Sequence, residues 1–134
     1  MEDEIYLFLF QTRGSKIVRQ WQSTQQVFTA THNEHFFTAH FTQLEAEDQL
    51  SFFLLELDND TLDQQIVRQL ENWVSAENFP ATFDQLRADN EIGYDDLLGA
   101  QSFLFSNLDQ NIPIIFSGIQ LFDRYEYELY YQLN

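Results

Sequence analysis

The 134-residue chain contains no cysteine. This excludes a disulfide framework, a thiolate zinc site and a cysteine nucleophile, and it suits a reducing compartment. Positive charge is almost as scarce: six Lys and Arg stand against 22 Asp and Glu, a formal net charge of −16, and Lys16 is the sole lysine. Phosphate backbones and anionic headgroups repel a surface of that sign, so the composition argues against direct nucleic-acid binding and against a membrane surface. The apolar run Ile5 to Phe10 is too short for a membrane span or a signal-peptide core. Met1-Glu2-Asp3-Glu4 ahead of it is acidic where a signal peptide needs positive charge. The expectation is a soluble, cytoplasmic protein. The four glycines form no phosphate cradle or nucleophile elbow.

What the chain has in quantity is apolar and aromatic: 44% hydrophobic residues with fourteen Phe, six Tyr and two Trp. A disordered acidic tail lacks such residues, so the composition describes a folded core inside a negative shell. The length matches one domain, residues 1–134, large enough to bury roughly two-thirds of its unfolded surface.

The first third reads as antiparallel strands. Ile5 to Phe10 is apolar at every position, as in a strand covered on both faces, and Thr12-Arg13-Gly14-Ser15 turns it into a return through Ile17, Val18 and Trp21. Val27 to Thr31, His35 to Leu44 and Ser51 to Leu57 read as further strands. The period then changes: Leu62, Ile66, Leu70, Trp73 and Val74 recur at spacings of three and four, one face of a helix. Thr61 is placed as its N-cap, with Gln64 completing a capping box, and the helix should stop before Phe79-Pro80. The pattern then suggests a short helix over Phe83 to Ala88 and a second over Asp95 to Phe105, with a strand over Ser102 to Leu108 as the competing reading. Ile114 to Phe122 and Tyr125 to Leu133 form a hairpin about Asp123-Arg124. In its second arm Tyr125, Tyr127, Leu129, Tyr131 and Leu133 share one face. The fold class expected is α+β: an antiparallel sheet of about six or seven strands with two or three helices on one face.

No constellation carries catalytic chemistry. His32, His35 and His40 are close in sequence, but His35 and His40 fall on opposite faces of a strand, which opposes a shared metal. Asp58, Asp60 and Asp63 superficially suggest a calcium loop. Counted from Asp58, the sixth position is Asp63 in place of glycine and the twelfth is Gln69 in place of a bidentate glutamate. Glu56 and Asp58 lack the neighbouring lysine of a metal-dependent nuclease. The sequence therefore reads as a non-enzyme with no cofactor and no metal.

The function expected is interaction. A small acidic domain can occupy the basic nucleic-acid groove of another protein, its carboxylates standing where phosphates lie, as phage-encoded anti-defence inhibitors and nuclease immunity proteins do. The residues expected to meet that partner are Asp58, Asp60 and Asp63 with Asp89, Glu91, Asp95 and Asp96, which cluster at loops and helix starts; Glu45, Glu47 and Asp48 are the next choice. The alternative is a structural or chaperone-like subunit, such as a phage tail component or a secretion chaperone, that self-associates through the aromatic face of Tyr125 to Tyr131.

Overall fold

The computed structural model describes residues 2–23, 26–29, 34–39, 41, 43–56, 64–77, 79, 97–120 and 123–133. Among them the elements run β1 (Glu2–Arg13), β2 (Lys16–Gln22), β3 (Gln26–Thr29), β4 (Glu34–Ala39), β5 (Gln49–Glu56), α1 (Gln64–Val74), β6 (Leu97–Leu104), β7 (Ile114–Gln120) and β8 (Asp123–Leu133), with a 3-10 turn at Phe105–Asn107.

The strands make two sheets. The first runs β2-β1-β5-β6, with β3 also pairing β1, and every pair in it is antiparallel. The second runs β4-β8-β7, in which β4 is parallel to β8 and β7 is antiparallel to it. One face of the first sheet (Ile5, Leu7, Leu9, Leu50, Phe52 and Leu54) packs against Phe116, Tyr127, Leu129 and Tyr131 of the second. Its other face (Tyr6, Phe8, Phe10, Phe53 and Leu55) packs against Val67, Leu70 and Val74 of α1. The molecule is thus three layers deep, and β1 and β5 lie in the middle one. Their unbroken apolar runs follow from this: with both faces covered, alternation has no purpose.

Ser23 explains how one edge of β1 can serve two strands. β2 pairs with Phe8 to Arg13 and β3 with Glu2 to Ile5. Between them, the Ser23 hydroxyl accepts the Leu7 N–H at 2.9 Å and the Ser23 N–H donates to the Leu7 carbonyl at 2.9 Å. A bulge in β2 has a second effect. Thr12 pairs with Ile17 but Gln11 with Arg19, so Val18 is the extra residue. Ile17 therefore packs on the helix side while Trp21, four residues on, packs between the sheets.

The expected α+β fold, with six or seven strands in one sheet and two or three helices on one face, is corrected here. The chain is mostly β, in two sheets, with α1 as the one α-helix among the described residues. Residues 95–105, expected to be helical, include strand β6. The reason is a bulge: Leu55 pairs with Leu97 but Leu54 with Gly99, leaving Leu98 extra. Adjacent Leu97 and Leu98 are consequently buried on opposite faces, and the broken alternation imitates helical spacing. The expected helix over Phe83 to Ala88 and the cap at Thr61 lie outside the described residues. The β7–β8 hairpin forms as expected, but Asp123 and Arg124 are not its turn: they belong to β8 and pair with Gln120 and Ile119. No helix among the described residues is long and apolar enough to cross a membrane.

Candidate partner-binding site

Two constellations stand out from the packed layers, one polar and one largely apolar. The first is built on Asp48, which is completely buried where the chain enters β5. Its carboxylate accepts from Arg13 Nε at 2.8 Å and Nη2 at 3.0 Å, from the Glu45 N–H at 2.9 Å and from Gln11 Nε2 at 2.7 Å. The forked Arg13 bond, then the Glu45 N–H and the Gln11 amide, hold the carboxyl down at about 2 against the opposing effect of burial. The Asp48 carbonyl accepts the Phe105 N–H at 2.8 Å, and the Ala46 carbonyl accepts that of Ser106 at 3.2 Å. This cluster ties the loop before β5 to the ends of β1 and β6. It is structural, and it removes Asp48 from the residues a partner could reach. Arg13 also lies 3.2 Å from Glu45, so it is engaged within the fold, and the exposed Lys16 and Arg19 are left to the β2 edge.

The second constellation faces outward. Between the end of β6, residues 107–113 and β7 lies a concavity of about 350 Å³, lined by Phe103, Leu108, Ile112, Pro113, Ile114 and Ile115 with Gln101, Asn107, Asp109 and Tyr131. Ile112 is 61% exposed and Ile115 45%, the two most exposed large apolar side chains among the described residues. Ile114 and Ile115 are neighbours in a strand, so one must face out when the other joins the core.

The wall is held firmly. Asp109 Oδ1 accepts the Asn111 N–H at 2.9 Å, and the Asp109 carbonyl accepts the Ile112 N–H at 3.1 Å and the Tyr131 hydroxyl at 3.4 Å. Gln110 Oε1 accepts the Leu133 N–H at 3.0 Å, strapping the loop across the end of β8. Gln101 Nε2 donates to the Ile115 carbonyl at 2.6 Å, which pins β6 to the outer edge of β7 and leaves that carbonyl unavailable to another strand. Burial, with the Asp109 charge as the lesser cause, pushes the Tyr131 phenol up to about 12.

Beside the concavity, the outer face of the second sheet is acidic. Ile115 lies opposite Glu128, and Ser117 opposite Glu126, in the β7–β8 register. Tyr130 shares this face and donates from its hydroxyl to Glu128 Oε2 at 3.2 Å. The face predicted to be aromatic and exposed is instead the inner one: Tyr127 and Tyr131 are buried in the core between the sheets, leaving Tyr130 outside. Of the acidic residues expected to meet a partner, Asp58, Asp60, Asp63, Asp89, Glu91, Asp95 and Asp96 all lie outside the described residues. Glu45 and Glu47 are exposed. Among the described residues no group of three His, Asp or Glu is placed to hold a metal ion. The concavity itself was not foreseen, although Asn111-Ile112-Pro113, an isoleucine inside a turn sequence, was the available sign of an apolar side chain on display.

Comparison with protein families, with curated proteins and with solved structures gives no match.

Proposed function

We propose that the chain is a protein-interaction domain whose negative surface engages the basic, nucleic-acid-binding surface of another protein and so competes with nucleic acid for it. One observation carries this reading. Of the carboxylates whose side chains are described, Asp48 alone is buried; Glu45, Glu47, Glu56, Glu71, Glu77, Asp109, Glu126 and Glu128 are exposed or half-exposed. Among these described carboxylates the core consumes only one, so the charge of the others is displayed. Such a field steers encounter with a basic surface and raises the association rate, while an apolar centre provides the contacts that slow dissociation. The described residues offer no arrangement of nucleophile, base and oxyanion donor that would favour an enzyme.

The test is a pull-down with the tagged chain from the lysate of its source, washed at low and at roughly 0.5 M salt, where screening acts over a few ångströms. Support requires a basic nucleic-acid-binding protein that is released by salt and whose nucleic acid displaces the chain. Salt-indifferent recovery of the chain alone would favour the second reading, a self-associating structural or chaperone-like subunit. With Tyr127 and Tyr131 turned inward, that subunit would join through a sheet edge such as β2. Reversal of Asp89, Glu91, Asp95 and Asp96 to lysine should weaken capture in a variant that still folds. Undiminished capture would remove that loop from the interface.

A further inference from the structure

We infer that the concavity between β6 and β7 is the docking site for the partner's apolar anchor: a peptide segment carrying one large aromatic or aliphatic side chain flanked by lysine or arginine. The inference rests on the reading of the chain as an acidic interaction domain, and it names the patch and the chemistry of the segment that fills it.

Three observations converge on this occupant. The cavity, about 350 Å³ and open on one side, is at the low end of the roughly 300–1,000 Å³ of ligand pockets, so it suits one inserted side chain better than an enclosed ligand. The apolar groups in it are pre-positioned. Ile112 stands on a loop fixed by the Asn111, Ile112, Tyr131 and Leu133 hydrogen bonds, so little ordering remains to be done when a partner arrives. The charges of the described side chains around it have one sign. Asp109 lines the cavity, Glu128 lies opposite Ile115 and Glu126 opposite Ser117, and no lysine or arginine is among the lining residues. Basic residues beside the anchor would meet these carboxylates, whereas a second copy of this chain would bring another −16 against them.

Burial of the anchor should strengthen binding roughly tenfold to a hundredfold over charge alone. The test uses the full ¹⁵N-labelled chain and two synthetic peptides, Lys-Arg-Trp-Arg-Lys and Lys-Arg-Ala-Arg-Lys. The tryptophan peptide is expected to bind at least tenfold more tightly and to shift the amides of Gln101, Ile112 and Ile115. The double variant Ile112→Ser, Ile115→Ser should lose that preference and keep the weak, salt-sensitive binding of the alanine peptide. If Ile115→Ser lowers the melting temperature, Ile112→Ser alone, at the more exposed position, makes the comparison. Equal binding of the two peptides, shifts confined to another surface, or a preference that survives in the serine variant would overturn the inference. Salt-sensitive binding of both peptides without such a preference would leave the acidic-domain reading standing, and failure of both to bind at low salt would count against that reading as well.

Discussion

Gly99→Ala should destabilise the protein by about 1–3 kcal/mol, the range for overpacking a well-filled interior. Gly99 sits in β6, and the Phe116 ring of β7 lies over it. A Cβ built on Gly99 falls 2.8 Å from Phe116 Cγ and 3.0 Å from Phe116 Cβ, and overlaps Cδ1. Carbon atoms at optimum contact are about 3.5–4.0 Å apart, so the overlapped edge of the ring would have to retreat by roughly 1.5 Å. It has no room to do so, because Phe116 is itself buried in the cluster between the sheets. For a chain of this length each kcal/mol moves the melting temperature by roughly 3–5 °C, giving an expected fall of about 3–15 °C. Circular dichroism melts and urea titrations would measure it. Gly14→Ala is the control: Gly14 has a φ of +66° with open space around it, so its cost is backbone strain alone, about 1–2 kcal/mol, with no dependence on Phe116. Adding Phe116→Leu to Gly99→Ala should return part of the loss, because the smaller side chain vacates the overlapped volume. A Gly99→Ala protein that melts within a degree of the parent, or a double variant worse than the two single changes combined, would refute the argument.

Acid should release the Asp48 clamp. Its carboxyl is lowered from 3.8 to about 2, so the stabilisation is complete above pH 4 and is lost as pH falls through 2. The shift corresponds to about 1–2 kcal/mol once screening around the half-exposed Arg13 is allowed for, and Asp48→Asn should flatten urea midpoints over that window by the same amount. At the other extreme, Tyr131 is raised from 10.0 to about 12. Its contribution is present below pH 10 and declines as pH rises through 12; Tyr131→Phe should remove that slope in alkaline melts, with phenolate absorbance as the direct readout. Leu70→Ala, at the fully buried centre of the helix face, should cost about 2–5 kcal/mol by equilibrium unfolding and detach α1 from β1 and β5.

The elements readable in the sequence are those whose period is clean. Ile5 to Phe10 announces a doubly covered strand, Ile66, Leu70, Trp73 and Val74 a helix face, and Tyr127, Leu129 and Tyr131 a half-buried strand, and each occurs as such. Two features were illegible for physical reasons. The bulge at Leu98 breaks the period of β6, so apolar spacing alone could not separate strand from helix. The parallel pairing of β4 with β8, Glu34 opposite Glu128, joins positions 94 apart in sequence, which leaves no local signal and hides the second sheet. The candidate site was missed because net charge drew attention to acidic loops, while the concavity depends on which of two adjacent isoleucines faces out and on where an intervening loop folds back.

β8 is the middle strand of the second sheet, and it is also the last strand in chain order. During synthesis, therefore, β4 lacks its β8 partner, and Ile5, Leu7, Leu9 and Phe52 lack the cover that Tyr127, Leu129 and Tyr131 supply, until residues 123–133 have been made. For that interval the nascent chain presents an apolar sheet face to its surroundings, the kind of surface on which chains associate wrongly. The acidic residues made earlier give every nascent copy the same sign and keep the copies apart.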